Sequence, residues 1–161
     1  MFQSLLSATA IDKRRARGIT AALLLLALSA CDRRADEPKV AHAWVRLPAI
    51  PGQPAAAYFT LIGGRSGEKL IQVESAMAQR VELHDNMAGM GGMTAMTPLG
   101  QVDLPAGTTI AFAPGGKHAM VYGVDKAVSP GTAIPLRFGF ASGKTAEAEA
   151  KTVAAGDDAP Y

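Results

Sequence analysis

The chain has 161 residues, 48% hydrophobic, 19% charged and 6% aromatic, with 16 Lys plus Arg against 14 Asp plus Glu, three His and a single Cys. That is one domain's worth of chain, and the hydrophobic fraction and the net charge of +2 exclude a disordered protein. One cysteine excludes an internal disulfide framework, a Cys-x-x-Cys redox motif and a thiolate-rich metal site.

The first segment is a processing signal. Lys13, Arg14, Arg15 and Arg17 form a basic cluster, and an apolar run containing Leu23, Leu24, Leu25 and Leu26 follows from Gly18 to Ser29. The run is shorter than the roughly 20 helical residues that span a hydrocarbon core, so it reads as an export signal. At its end, Leu28-Ser29-Ala30-Cys31 resembles the lipobox of bacterial lipoproteins: an aliphatic residue, two small ones, then the cysteine that is acylated and becomes N-terminal. Residues 1–30 are therefore expected to be a lipoprotein signal peptide, with Cys31 the lipidation site. Asp32 resembles the signal that retains enteric lipoproteins at the inner membrane. Removing 1–30 takes four basic residues and Asp12 from the 16 and 14 of the chain, which leaves 12 and 13 and a net charge of −1. The positive balance belongs to the signal, and no basic surface remains to recruit nucleic acid.

Residues 31–38 are charged or small and lack apolar periodicity, as a lipidated tether requires. A domain is expected from 39 to 153. Short runs rich in Val, Ile, Phe and Tyr, or alternating in polarity, predict strands at Val40 to Leu47, Ala55 to Ile62, Lys69 to Val73 and Arg80 to His84. Others are predicted at Thr108 to Ala113, His118 to Gly123, Ile134 to Phe140 and Thr145 to Val153. Gly, Pro, Asp and Ser clusters separate them. This many strands without an amphipathic helix predicts an all-β fold, an antiparallel β-sandwich. Residues 154–161 read as a flexible C-terminal tail. The Gly/Met-rich stretch from Met87 to Met96 is the one compositionally odd segment, and it reads as a loop.

Five of the seven methionines, Met87, Met90, Met93, Met96 and Met120, fall between His84 and the end of His118-Ala119-Met120. Thioether sulfur is a soft, uncharged donor suited to Cu(I), and neutral imidazole is a good partner for it, whereas zinc, calcium and magnesium are poorly served by such a set. Alternation places Val81 and Leu83 toward the core and His84 with Glu82 on the other face, near the end of their strand. His118 and Met120, two residues apart, project from one face. The Pro114-Gly115-Gly116 turn sets them at a sandwich end, where a loop carrying Met96 closes over them. His42, beside Trp44, reads as a solvated edge histidine, Trp44 and Met77 as packing residues, and Asp85 as solvated.

These residues resemble the PCuAC family of periplasmic copper chaperones, whose pattern is a His, a Met about ten residues on, then 21 residues to His-x-Met. Met96 is followed by 21 residues and then His118-Ala119-Met120. The resemblance extends over Ala43-Trp44-Val45-Arg46, Pro54-Ala55-Ala56-Ala57-Tyr58, Val81-Glu82-Leu83-His84, Leu104-Pro105-Ala106-Gly107 and Pro114-Gly115-Gly116. It implies a Greek-key sandwich of cupredoxin-like or immunoglobulin-like type and the metal ligands His84, Met96, His118 and Met120. Eleven residues separate His84 from Met96, one more than usual, so Met87, Met90 and Met93 stand as possible additional ligands.

The resemblance further implies delivery of Cu(I) to the copper centres of cytochrome c oxidase, chiefly the dinuclear centre of subunit II, in cooperation with a thioredoxin-like copper-delivery protein. A monomeric domain anchored by lipid on the periplasmic side of the inner membrane would sit beside that target. The alternative is a copper buffer or resistance protein that binds several Cu(I) ions through its Met-rich stretch. An enzyme is not expected: the chain has no free cysteine nucleophile and no Gly-x-Ser-x-Gly motif with a base. A blue-copper electron carrier would need a cysteine ligand.

Overall fold

The computed structural model describes residues 36–88 and 94–161. The signal segment, Cys31, most of the tether, Met90 and Met93 lie outside the described residues. From Asp36 to Tyr161 the chain forms one compact unit.

Ten strands follow in chain order: β1 Lys39–Arg46, β2 Ala55–Ile62, β3 Glu68–Glu74, β4 Arg80–Ala88, β5 Thr94–Leu99, β6 Val102–Leu104, β7 Thr109–Phe112, β8 His118–Tyr122, β9 Ala133–Phe140 and β10 Thr145–Val153. The described residues contain no helix. The strands pair in the order β5-β4-β8-β2-β1-β10-β9-β3-β6, with β7 also on β2. The first half of β2 pairs with β8 and the second half with β7, so two strands share one of its edges. The sheet wraps around a single core into a nearly closed sandwich.

Two features depart from expectation. Every pairing is antiparallel except that of β1 with β10, which is parallel. The segment expected to be a loop is largely a hairpin: β4 continues past His84 to Ala88, and β5 returns beside it with Asn86 opposite Met96 and His84 opposite Pro98. His84 therefore lies in mid-strand, and Met96 is carried by a strand. Pro98 is tolerated because β5 is the last strand of the sheet, where a missing N–H breaks no ladder.

The core follows from alternation. In β9, Ile134, Leu136, Phe138 and Phe140 are buried while Pro135 and Arg137 are exposed. Phe59 stacks on Phe112 at 4.2 Å and meets the edge of Phe138 at 4.8 Å. Leu61, Leu70, Leu104 and Val121 complete a solvent-free centre, and Met77 packs at its margin. At Gly63 an added Cβ would stand 2.5 Å from the carbonyl oxygen of Pro105, so the close passage of these two loops requires glycine. Beyond β10, the carbonyl of Asp157 accepts a hydrogen bond from Arg46 Nη2 at 3.0 Å, and the Tyr161 ring lies under the Lys151 ammonium at 4.5 Å.

Candidate metal centre

The site is built on the outer face of β4 and β8. In β8, Ala119 and Val121 are buried in the core, which turns His118, Met120 and Tyr122 to the other side. In β4, Leu83 and Val81 pack on the core, which turns Glu82 and His84 outward. Antiparallel register then sets three pairs opposite one another: Arg80 and Tyr122, Glu82 and Met120, His84 and His118. Gly115, with φ of +84°, and the Gly116 N–H to Ala113 carbonyl bond of 3.0 Å form the tight turn that delivers His118 to this register.

The two imidazoles face each other with ring centroids 5.9 Å apart and planes within 23°. Both are largely withdrawn from water, His84 being 8% and His118 5% exposed. His118 Nδ1 lies 2.9 Å from the carbonyl oxygen of Gly116. His84 Nε2 lies 3.5 Å from Glu82 Oε2. His84 Nδ1 is buried and has no hydrogen-bond partner among the described residues. Such an atom costs about 1–3 kcal/mol if left unsatisfied, and a buried ring nitrogen with a free lone pair is what a metal ion would use.

The methionines differ in access. Met120 is half-buried, flanked on β2 by the small Ala56 and on β4 by Glu82. Met96 is 52% exposed on β5, and its register position beside Asn86 puts it in step with His84 on the same face. His84, His118, Met120 and Met96 thus share one face of three adjacent strands, β5, β4 and β8. Met87 sits opposite Ala95, one position out of step with His84.

His42 is not part of this group. It sits on a bulge of β1 with φ of +51°, edge-on to the Tyr161 ring at 5.1 Å. Trp44 is buried, as expected of a packing residue, but on the face opposite Ala43 and Val45, against Tyr58 at 4.5 Å and beneath the Arg46 guanidinium. Burial raises the pKa of the Tyr58 hydroxyl. Asp85 is only partly solvated: its Oδ2 accepts from Lys117 Nζ at 2.5 Å, which ties β4 to the residue preceding β8 next to the histidine pair.

Three residues belong to the site's surroundings that the sequence reading did not assign. Arg80 donates from Nε to Glu82 Oε1 at 2.8 Å, and its guanidinium lies 3.8 Å over the Tyr122 ring. The Arg80 hydrogen bond holds the Glu82 carboxyl below its ordinary pKa. Period-two spacing of Arg80, Glu82 and His84, matched by His118, Met120 and Tyr122, is the signal that would have found them. A concavity of about 870 Å³ between β3, β9, β10 and the start of β4 reaches as far as Arg80, but neither imidazole lines it.

Fold and face together define a class: a small all-β domain presenting imidazole and thioether donors from neighbouring strands, with no third carboxylate, thiol or imidazole gathered beside them among the described residues. The chain belongs to the family described as "Putative lipoprotein LpqE-like", which matches residues 39–152. It is 29% identical over 143 residues to "Putative lipoprotein Lxx21020" of Leifsonia xyli subsp. xyli (strain CTCB07), covering 82% of this chain and 86% of that one. Among solved structures, the copper-bound PCuAC domain from PmoF2 is similar with a TM-score of 0.59 and 23% identity, over 71% of this chain and 91% of that domain. The Cu(I) form of DR1885 from Deinococcus radiodurans is similar with a TM-score of 0.55 and 23% identity, over 70% of this chain and 75% of that one. The fold implied by the PCuAC resemblance is the fold found.

Proposed function

We propose that this protein is an extracytoplasmic copper carrier that holds Cu(I) on the face formed by His84, His118, Met120 and Met96 and passes it on without turnover. The observation that carries this reading is the pair of buried, directly opposed imidazoles, one with an Nδ1 that has no partner among the described residues. Neutral imidazole and thioether suit Cu(I) and serve hard cations badly. No donor in the set is charged, so the ion keeps its positive charge and can be drawn away by a competing thiolate. Similarity to domains solved with copper bound supports the same metal.

The division of access suggests how transfer would run. The imidazoles, 8% and 5% exposed, hold the ion from its less accessible side. Met96, on the outermost strand and half in solvent, is the donor an incoming partner can displace first. Ligand exchange then proceeds one bond at a time, from the exposed side.

The recipient in this proposal is the copper machinery of cytochrome c oxidase, reached with a thioredoxin-like protein that supplies the thiols this domain lacks. Cys31, acylated after removal of residues 1–30, would tether the domain through residues 31–38 to the periplasmic side of the inner membrane. The lipoprotein description of the family supports the anchor. Fatty chains contribute about 0.8 kcal/mol per buried methylene, and more than one is needed for stable attachment.

The test is an anaerobic Cu(I) competition titration against a chromogenic chelator, on soluble protein lacking residues 1–31 and on the same protein with His118→Ala and Met120→Ala. One tight equivalent, lost in the double variant, is the expected result. Several weak equivalents that survive the substitutions would replace delivery by buffering.

A further inference from the structure

We infer that Glu82, gripped by Arg80, is a positioning residue that holds the His84 ring with its proton on Nε2, so that the buried Nδ1 is the donor on His84 while Nε2 is the donor on His118. The metal's identity rests on the copper reading above; the placement of the protons is a property of the metal-free protein.

The argument is one of donors and acceptors. An ionised carboxylate offers only lone pairs, so an imidazole nitrogen that meets it must carry the hydrogen. Glu82 Oε2 meets His84 Nε2, at 3.5 Å. A neutral imidazole has one N–H, which leaves Nδ1 with the lone pair, and that is the nitrogen found buried without a partner among the described residues. His118 is held in the opposite sense. A backbone carbonyl is also acceptor-only, and that of Gly116 meets His118 Nδ1 at 2.9 Å, which leaves Nε2 as its lone-pair atom.

Glu82 is itself held. Its other oxygen accepts from Arg80 Nε at 2.8 Å, and the Arg80 guanidinium is seated 3.8 Å over Tyr122. Tyr122, Arg80, Glu82 and His84 thus form one continuous line along the outer face, spanning three same-face register pairs of β4 and β8. A carboxylate that accepts the second N–H of a metal-bound imidazole fixes the ring and raises its basicity, and losing such a partner typically lowers metal affinity by about 10–100-fold.

The experiment is a long-range proton–nitrogen correlation spectrum of the imidazole rings, recorded on isotope-labelled metal-free soluble protein above the free-histidine pKa of about 6.5. His84 is expected as the Nε2–H tautomer and His118 as the Nδ1–H tautomer. Glu82→Ala is expected to mix the His84 tautomers, leave His118 unchanged and lower Cu(I) affinity about 10-fold. Glu82→Gln, which keeps an acceptor oxygen, should restore most of both. Arg80→Ala, at a side chain 57% exposed, loosens the same line without touching the core and should move His84 in the same direction as Glu82→Ala. A wild-type His84 protonated on Nδ1, or one whose tautomer ignores both Glu82→Ala and Arg80→Ala, overturns the inference. Correct tautomers in a wild-type protein that binds no Cu(I) would overturn the copper reading and leave this arrangement standing.

Discussion

Replacing His84 by leucine should make the metal-free protein more stable and the metal-loaded protein less so. His84 is 8% exposed, with Nδ1 shut away from water and from every described partner. Removing an unsatisfied buried polar atom recovers about 1–3 kcal/mol. Against this stand the long contact to Glu82, within the 0–1 kcal/mol of a partly exposed pair, and imperfect repacking by a side chain of similar size, below about 1.5 kcal/mol. The balance runs from about 1.5 kcal/mol against the variant to about 3 kcal/mol in its favour, centred a little under about 1 kcal/mol on the favourable side. For a unit of this size each kcal/mol moves the midpoint by a few degrees, so thermal unfolding without metal should shift upward by up to about 10 °C. A ligand held at 100 times its Kd adds about 2.7 kcal/mol to the native state. Wild-type protein should collect that increment with Cu(I) and His84→Leu should not, so the two stability orders cross on adding metal. Paired calorimetric scans with and without Cu(I) under anaerobic conditions would read both halves. A metal-free His84→Leu protein destabilised by more than about 1.5 kcal/mol, beyond the unfavourable end of these terms, would show that His84 is a packing residue and refute the reasoning.

Other expectations follow from the same geometry. Phe138→Ala, at a side chain with no exposure and an edge contact to Phe59, should cost about 3–5 kcal/mol in a urea titration, while the donors on the opposite face of other strands stay chemically intact. Met96→Leu should weaken Cu(I) binding less than Met120→Leu and speed handover to a thiol acceptor followed by stopped flow, because the exposed donor that an acceptor must displace first is then already gone. Arg80→Ala should let the Glu82 carboxyl rise toward its ordinary value of 4.5, as read by carboxyl-carbon NMR. With the folded pKa below the unfolded one, the Arg80–Glu82 contact stabilises above the ordinary carboxylate range and that contribution is lost as pH falls through the folded value. Acid-unfolding curves of wild type and Arg80→Ala should therefore converge at low pH and separate at neutrality.

Local signals and long-range ones were not equally legible. Alternation in Val81-Glu82-Leu83-His84 and His118-Ala119-Met120 placed both histidines on the outer face, because a half-buried strand writes its two faces directly into the sequence. The hairpin of β4 and β5 was hidden. Thr94-Ala95-Met96-Thr97-Pro98-Leu99 has no apolar alternation, carries a proline and is flanked by glycines, so its extended form depends on pairing with β4 and not on its own propensity. The three residues of β6 are too short to show a period. The parallel pairing of β1 with β10 joins segments a hundred residues apart, where no local pattern can speak. Glu82 was placed on the correct face but given no part in the site, because its bearing on His84 depends on where Arg80 and Tyr122 meet across two strands.

The alternation that puts Leu83 and Ala119 inside puts His84 and His118 outside, and one register between β4 and β8 enforces both. A slip by a single residue in either strand would turn that strand's imidazole into the core and its Leu83 or Ala119 to solvent. In the proposed copper carrier, metal binding and correct strand pairing are therefore the same all-or-none property of this face. A single-residue deletion between Arg80 and His84 could not be absorbed as a weakened site on an otherwise sound domain: it would be lost to folding and to copper together.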